Sequence, residues 1–193
     1  MAPKIPNHLK DRLPPGQTYV EKWPVLHEGS PLEFDSNTWR LRVHGLVENP
    51  VTIAWDEFQK WPKAERTSDF HCVTRWSIFE SVWKGTLFSE FAKMVRPKSE
   101  AKFVRFADHQ GYDTSVPLKV CMEPDVMLVT HWKGKPLDPM HGGPMRVVIP
   151  KLYGWKSCKW LVEVEFLAQD KLGYWEVRGY HNGADPFKEE RFS

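Results

Sequence analysis

The chain has 193 residues, of which 41% are hydrophobic, and a formal net charge of +2. This length favours one domain with a core of its own, and the near-neutral charge gives no electrostatic reason to expect a nucleic-acid partner. No apolar run is long enough to cross a membrane. The three cysteines show neither a zinc-site spacing nor a disulfide framework. Residues 1–8 carry no export signal, so the composition predicts a reduced, cytoplasmic protein.

The chain begins with an arm and continues into a domain. Residues 1–37 are rich in proline, glycine and charged side chains, which favours an irregular arm packed on the domain rather than a strand or a helix. Residues 38–193 form the single domain. Near its start, Trp39, Leu41 and Val43 alternate with polar residues, which is the period of a half-buried strand.

Two short helices are predicted in the first half of the domain. The segment 56–61 is typical of one helical turn that ends at Pro62. Apolar residues recur at helical spacing over 87–95, with Gly85 before them and Pro97 after them. The proline gives this second helix its predicted end.

Most of the remaining chain is predicted as strand. Lys133-Gly134-Lys135 predicts a hairpin turn, and the alternation from Trp160 to Phe166 is the clearest strand pattern of the chain. Strands mixed with a few short helices, without regular βαβ alternation, predict an α+β fold. The other short apolar or β-branched runs are 103–106, 112–116, 126–130 and 146–149.

Cys72 lies in the most polar setting of the three cysteines, with His71 before it and Arg75 three residues after it. A nearby cation lowers a thiol pKa and favours the thiolate, the form that attacks as a nucleophile and binds metals. Three interpretations are open. Cys72 is a packed, inert cysteine, since free cysteine behaves mainly as a small hydrophobe; or a nucleophile activated by a histidine; or a soft ligand to a metal whose other ligands come from a cofactor.

A second polar segment starts at His141 and continues through a pair of glycines, which let the backbone approach a ligand closely. Arg146, Lys156 and Lys159 offer three cations in this segment, and the hydroxyl of Ser157 stands between the two lysines. Such a group suits a phosphate, which accepts charge-assisted hydrogen bonds from arginine and lysine. A solvated basic turn is the alternative interpretation.

Two further residues are candidates with ordinary alternatives. His27 lies in the arm, where a surface or capping histidine is the competing interpretation. Tyr180 lies in an aromatic stretch near the C-terminus, where a half-buried packing tyrosine would be usual.

Taken together, these segments resemble the molybdopterin-binding domain of the sulfite oxidase family, especially its small single-domain bacterial members. The resemblance runs from about Pro14 to Arg191. The motifs that carry it are Trp23 to His27, Trp39 to Val43, Gly45 to Val47, the segment around Cys72, Trp83 to Gly85, Tyr112 to Leu118, and His141 to Lys159.

The resemblance implies an α+β fold of short mixed strands and one molybdenum carried by the dithiolene of a single pterin. Cys72 matches the only protein ligand to the metal, and Tyr180 matches an active-site tyrosine that hydrogen-bonds an oxo group or the substrate. Cys158 would act through its backbone. The resemblance assigns pterin or phosphate contacts to His27, Asp108, His141, Arg146, Lys156, Ser157, Cys158 and Lys159.

The activity implied is a two-electron oxygen-atom transfer on a small substrate, either a sulfite-like anion or an S- or N-oxide. An external electron donor or acceptor is the expected partner, with no nucleic acid and no membrane. Val25 and Leu26 stand where vertebrate and plant sulfite oxidases have an arginine, which disfavours sulfite, although Arg75 is a candidate replacement. Two rival hypotheses are a non-catalytic pterin-binding module and a hydrolase that pairs Cys72 with His71 or His141.

Overall fold

The computed structural model describes residues 3–193. Two β-sheets make up most of the regular secondary structure of the described residues, and three short α-helices and several 3₁₀ turns connect their strands. The helices are α1 (Trp55–Gln59), α2 (Phe88–Val95) and α3 (Leu118–Cys121). The strands are β1 (Thr18–Tyr19), β2 (Arg40–Gly45), β3 (Val51–Ala54), β4 (Ala64–Cys72), β5 (Trp76–Leu87), β6 (Phe103–Ala107), β7 (Asp113–Pro117), β8 (Met127–Trp132), β9 (Lys135–Pro136), β10 (Arg146–Val148) and β11 (Glu163–Leu167).

The two sheets differ in how they are connected. One sheet has the order β3-β2-β11-β6-β7 and is antiparallel except where β11 runs parallel to β2. The other joins β1, β5, β8 and β10, with β4 along β5 and β9 along β8. Mixed sheets with few helices confirm the α+β fold expected from the sequence.

The main core lies against α2 and the inner face of the first sheet. Phe88 and Phe91 of α2 are fully buried, and the inward residues of β11, Val164 and Phe166, are fully buried with them. The alternation predicted at the start of the domain produces β2, where Leu41 and its second neighbour along the strand point into this core.

A second, mostly aromatic cluster lies under the arm. It contains Trp23, Phe70, Trp76 and Trp83, and Trp132 packs against its edge. Trp23 therefore fastens the arm to the domain, because burying an indole stabilises a segment that lacks regular hydrogen bonding of its own.

Several predicted elements are confirmed, and one is shorter than expected. The helix expected over 87–95 is α2, and the β8–β9 hairpin turns at Lys133 and Gly134, which have the positive φ values of 48° and 76° that a two-residue turn requires. The strand expected from Trp160 begins at Glu163 instead, because Trp160 has a φ of 48° and leaves the extended region.

The arm also differs from the expectation of a wholly irregular segment. Asn7–Arg12 forms a 3₁₀ helix, and β1 pairs in parallel with β5. The side chain of Arg12 reaches Asp69 on β4, with 2.9 Å between Nε and Oδ2, and this bond ties the helix to the sheet. Over residues 3–193, none of the helices has the length and apolar composition needed to cross a bilayer.

Candidate cofactor site

A cleft of about 320 Å³ opens between the arm, the end of β4 and the segments 154–160 and 175–180. Its volume lies in the range of small-molecule and cofactor sites. Its lining residues are Trp23, Pro24, Leu26, His27, Glu28, Phe70, Cys72, Val73, Thr74, Trp76, Asp108, Tyr112, Arg146, Gly154, Trp155, Ser157, Cys158, Lys159, Trp160, Trp175 and Tyr180.

Cys72 is the last residue of β4 and lines the cleft at the turn into β5. The hydroxyl of Thr74 donates a hydrogen bond to its sulfur, with 3.2 Å between Oγ1 and Sγ. Burial raises the pKa of the Cys72 thiol, while hydrogen bonds from Thr74 and the charges of Lys159 and Arg146 act in the opposite direction. Burial outweighs these contributions, so the pKa of the Cys72 thiol lies above its ordinary value in the protein without its cofactor.

The expectation that Arg75 and His71 lower the thiol pKa is wrong. Arg75 has a φ of 70°, and its guanidinium lies beside Gly16 of the arm. His71 points to the opposite face of β4, as successive residues of a strand do, and its Nδ1 lies 2.8 Å from the hydroxyl of Ser77. Burial lowers the pKa of His71 to about 4, so its ring is neutral at pH 7 and supplies no positive charge.

Arg146 and Lys159 are the cations that line the cleft, and both bond to backbone carbonyls. Arg146 is buried and donates to the carbonyl oxygens of His141 and Ser157 at 2.9 and 2.7 Å. Lys159 donates to the carbonyl of Leu26 at 2.7 Å, and burial lowers its pKa to about 7. Burial also lowers the pKa of Arg146, to about 10.

Within residues 3–193, neither Arg146 nor Lys159 forms an ion pair with a carboxylate; the pairs made by lysine and arginine there involve other residues. Removing a cation from water without a counter-ion is costly. The cleft therefore suits a bound anion that compensates both charges.

Lys156 does not line the cleft, which corrects its expected role as a phosphate contact. Its ammonium is 2.6 Å from Oε1 of Glu176, and both side chains are buried. It also donates to Asn182 at 3.0 Å and to the carbonyl of Ser115 at 2.9 Å. These partners occupy the ammonium, and through Glu176 and Asn182 they join Lys156 to the segment that carries Tyr180.

His141 is the second expected contact that the structure places outside the cleft lining. Its ring stacks on Trp23 with 4.3 Å between ring centres, and its Nε2 lies 3.3 Å from the carbonyl oxygen of the same residue. Its effect on the cleft is indirect, because Trp23 is part of the lining.

The remaining expected contacts do line the cleft. The hydroxyl of Ser157 accepts a hydrogen bond from the amide of Ile149 at 3.0 Å. The carboxylate of Asp108 accepts bonds from backbone amides of its own loop, and His27 presents its ring edge to Trp160. Cys158 is buried beside Ser157, as expected of a residue that acts through its backbone.

Tyr180 reaches the cleft from the C-terminal segment. Its ring stacks on Trp175 with 4.8 Å between ring centres and meets Trp155 edge-on at 4.9 Å. Burial raises the pKa of Tyr180, and the nearby charge of Cys72 raises it further. The phenol therefore keeps its proton at pH 7 and shares the cleft with the sulfur.

Sequence reasoning missed the aromatic wall of the cleft and the hydroxyl of Thr74. The wall residues are Trp23, Phe70, Trp76, Trp155, Trp160 and Trp175. The composition shows ten tryptophans in 193 residues, and the structure places most of them in the buried core. No pattern in the sequence showed which of them would face a ligand.

The geometry defines a class of site. A soft sulfur beside two unpaired cations, within an aromatic wall, suits a metal held by a pterin with an anionic phosphate. The residues present thus fit molybdopterin, with Cys72 available to the metal and Arg146 and Lys159 available to negatively charged groups.

Comparison with known proteins agrees with that class. Residues 27–175 match the family described as oxidoreductase molybdopterin binding domain, so the chain belongs to this family and is a molybdopterin-dependent oxidoreductase. Its cofactor is molybdenum–molybdopterin, as the sequence resemblance implied.

Two relatives and one solved structure place the chain more closely. It is 38% identical to the uncharacterized oxidoreductase YuiH of Bacillus subtilis over 94% of this chain and 92% of that protein. It is 31% identical to the protein-methionine-sulfoxide reductase catalytic subunit MsrP of Campylobacter jejuni over 74% of this chain and 54% of that protein. The sulfane dehydrogenase SoxCD from Paracoccus pantotrophus has a similar fold, with a TM-score of 0.65 and 21% identity over 86% of this chain and 54% of that one.

Proposed function

We propose that the chain reduces an S-oxide by two-electron oxygen-atom transfer at its molybdenum site. In this proposal Cys72 is the protein ligand to the metal and Tyr180 is the catalytic hydroxyl. Arg146 and Lys159 compensate the negative charge of the cofactor, while His27, Asp108, Ser157 and Cys158 contact the pterin.

The observation that carries the proposal is the convergence of Cys72 and Tyr180 on one cleft with two unpaired cations. These four residues come from three separate parts of the chain, and a core alone gives no reason for a buried and a half-buried cation without carboxylate partners. A non-catalytic pterin-binding module would need the cations but neither a soft metal ligand nor a phenol facing it.

The choice of an S-oxide over sulfite rests on charge. Of the residues that line the cleft, the positively charged ones are Arg146 and Lys159, which we assign to the cofactor. The guanidinium of Arg75, a candidate replacement for the missing substrate arginine, lies beside the arm and outside the lining. The surface around Tyr180 is aromatic, so it suits a neutral sulfoxide with apolar substituents better than a dianion.

The relatives support the same choice. The Campylobacter jejuni relative, which is 31% identical to this chain, is a protein-methionine-sulfoxide reductase catalytic subunit. The chain spans about half the length of that relative, so the substrate of that whole protein is carried over here as a proposal.

The reaction balances with an external reductant. The sulfoxide takes up two electrons and two protons and yields a thioether and water. The bound molybdenum supplies the two-electron redox change. The protonated phenol of Tyr180 can donate a hydrogen bond to the sulfoxide oxygen and weaken the sulfur–oxygen bond. A one-electron carrier would deliver the electrons in two steps.

The cytoplasmic location expected from the sequence stays a prediction.

The hydrolase hypothesis loses support from the geometry. His71 lies on the opposite face of β4 from Cys72, and His141 is stacked on Trp23. Neither imidazole is placed as a general base within hydrogen-bond reach of the sulfur, which an activated cysteine requires.

Protein purified from a molybdate-fed host that makes the pterin tests the proposal. We expect about one molybdenum per chain, loss of most of it in Cys72→Ser, and viologen-driven reduction of methionine sulfoxide. Oxidation of sulfite with ferricyanide, in the absence of sulfoxide reduction, would overturn the substrate. Absence of molybdenum from the wild type in a host that loads a control molybdoenzyme would overturn the assigned site.

A further inference from the structure

A row of indole rings connects the cleft with the protein surface. Trp23 lines the cleft, and Cys72 packs against the cluster that contains it. The ring centre of Trp23 lies 5.2 Å from that of Trp83 and 5.0 Å from that of Trp132. We call Trp23, Trp83 and Trp132 the indole bridge.

The outer end of the indole bridge lies on the β8–β9 hairpin. Trp132 is the last residue of β8, packs against the aromatic cluster and is half-buried, so part of the residue is exposed to solvent. Rings in van der Waals contact couple electronically far better than rings separated by solvent. A single ring-to-ring contact, between Trp23 and Trp132, therefore connects the cleft wall with the protein surface.

The surface around Trp132 is positively charged. The ammonium of Lys133 lies 5.0 Å from the centre of the Trp132 ring, and Lys135 stands opposite Trp132 in the hairpin. Lys84, on β5, is exposed opposite His131. We call Lys84, Lys133 and Lys135 the hairpin patch.

The charges of the hairpin patch are not neutralised by close partners. The lysine ion pairs of the described residues are made by Lys93, Lys151, Lys156 and Lys188. Glu65 stands opposite Lys84 in the neighbouring strand without pairing with it, so it offsets part of the positive field at that end. Lys133 and Lys135 lie at the turn and on the second strand of the β8–β9 hairpin, and both are exposed to solvent.

We propose that the hairpin patch docks an acidic one-electron carrier protein and that the indole bridge passes electrons between this carrier and the cleft. The inference rests on the proposed function for the direction of flow, from carrier to cleft. Two carrier molecules each lose one electron, and the pair of electrons reduces one sulfoxide, with two protons taken from water. Opposite charges would orient the encounter so that the carrier meets the edge of Trp132.

Stopped-flow reduction of the molybdenum-loaded protein by reduced flavodoxin, an acidic one-electron carrier, tests the docking site. Reduced methyl viologen, a small cation that needs no docking surface, serves as the second donor. We expect the rate with flavodoxin to fall with added salt, because salt screens attraction between opposite charges. The pair Lys133→Glu and Lys135→Glu should lower that rate by about tenfold or more and leave the viologen rate unchanged.

Two further variants separate docking from general effects. Lys98 is exposed and lies beside the five-stranded sheet. Reversing its charge with Lys98→Glu should change neither the flavodoxin rate nor the viologen rate. Trp132→Leu should slow reduction by flavodoxin, and Trp132→Phe should preserve most of it, because the ring contact is retained.

The readout keeps this inference separate from the proposed function. Reduction is followed in freeze-quenched samples by the rise and decay of the electron paramagnetic resonance signal of the one-electron-reduced metal, a readout that needs no substrate. A flavodoxin rate that is unaffected by the double reversal, or equally lowered by Lys98→Glu, overturns the hairpin patch even if sulfoxide is turned over. If the flavodoxin rate depends on salt and on Lys133 and Lys135 as expected but no sulfoxide is reduced, the proposed substrate is wrong and the proposed electron route stands.

Discussion

The sulfur of Cys72 has a hydrogen-bond donor that the sequence did not reveal. Thr74 lies at the cleft mouth, and its hydroxyl donates to Sγ at 3.2 Å. A donor to a thiolate stabilises the negative charge on sulfur and lowers the thiol pKa. In a metal site, such a donor also tunes the electron density that the sulfur gives the metal.

Replacing Thr74 with valine should therefore raise the pKa of the Cys72 thiol still further above its ordinary value. The volume of the side chain is nearly conserved and only the donor is lost. In cofactor-free protein, Thr74→Val should react more slowly with iodoacetamide at pH 8, by about threefold to tenfold if the bond contributes about 1 kcal/mol. Mass spectrometry of the labelled Cys72 peptide measures the rate.

Thr74→Ser is the matched control, since serine keeps the hydroxyl and removes one methyl group. It should react at close to the wild-type rate. Equal slowing in both variants would mean that packing at this position, and not the hydrogen bond, controls the thiol.

The phenol of Tyr180 gives a second test at the level of one residue. Tyr180→Phe keeps the stacking on Trp175 and removes only the hydroxyl. Molybdenum content should stay at the wild-type level, while kcat for methionine sulfoxide should fall by about 10²-fold, as for loss of one proton-donating group. A variant that retains full kcat would exclude the phenol from the reaction.

Local sequence was sufficient to predict some of the residues that line the cleft and not others. Cys72 stood out because it is a cysteine in a polar segment, and Arg146 and Lys159 because cations cluster near paired glycines. Lys156 has the same local pattern but a buried carboxylate partner twenty positions later, at Glu176. Such a pairing is decided by the fold, so no inspection of neighbours could separate Lys156 from Lys159.

At the scale of elements, the β4–β5 hairpin was the main structure that the sequence did not predict. β5 is twelve residues long and buries polar side chains such as Ser77, Ser81 and Thr86 together with Trp76. A strand that is covered on both faces loses the alternation by which strands are recognised. By contrast, β2 and α2 each have one buried face, and their periodicity predicted them.

The C-terminal end of helix α1 supplies a prediction at this scale. The ammonium of Lys63 donates to the carbonyl oxygens of Phe58 and Trp61 at 2.6 and 3.1 Å and lies 4.0 Å from the ring centre of Phe58. These bonds fasten Lys63 to the end of the helix and to the turn that follows it. Lys63→Met should lower the free energy of unfolding by about 1 kcal/mol, the usual net value of such a bond.

The effect should also depend on pH, because burial lowers the pKa of Lys63 from 10.5 to about 8 in the folded chain. The unfolded chain binds more protons than the folded chain between these two values, so the Lys63 contribution to stability rises with pH across that window. Urea unfolding near pH 7 and near pH 9.5 should therefore show a larger advantage of wild type over Lys63→Met at the higher pH. Lys60 is an exposed neighbouring lysine, so Lys60→Met should show no such dependence on pH. If the stability advantage of wild type over Lys63→Met became smaller as pH rises, the lowered pKa of Lys63 would be wrong.

At the scale of the whole molecule, most of the main core lies apart from the cleft, whereas the second cluster supplies Trp23, Phe70 and Trp76 to the cleft wall. The large core is built around α2 and the five-stranded sheet. No residue of α2 lines the cleft. The cleft is assembled from the arm, the end of β4 and the segments near Lys159 and Tyr180. These pieces are far apart in sequence, which is why the motifs could be recognised separately but their geometry could not be predicted.

The two lysines of the segment 156–159 test this separation. Lys156 belongs to a buried ion pair with Glu176, so Lys156→Gln leaves a buried carboxylate unpaired, which costs about 3–5 kcal/mol. The melting temperature should then fall in cofactor-free and cofactor-loaded protein alike. Lys159 has no carboxylate partner in the described chain and faces the cleft, so Lys159→Gln should leave the cofactor-free protein nearly unchanged.

In the loaded protein, Lys159→Gln should reduce the rise in melting temperature that the cofactor causes, because a ligand stabilises the folded state in proportion to how tightly it binds. Calorimetry of both variants, each with and without cofactor, gives the four values required. If Lys156→Gln instead lowered only the cofactor-dependent rise, Lys156 would contact the cofactor phosphate, as its place in the sequence first suggested. If Lys159→Gln lowered the melting temperature of the cofactor-free protein, the main role of Lys159 would be to hold the arm to the domain through its hydrogen bond to the carbonyl of Leu26.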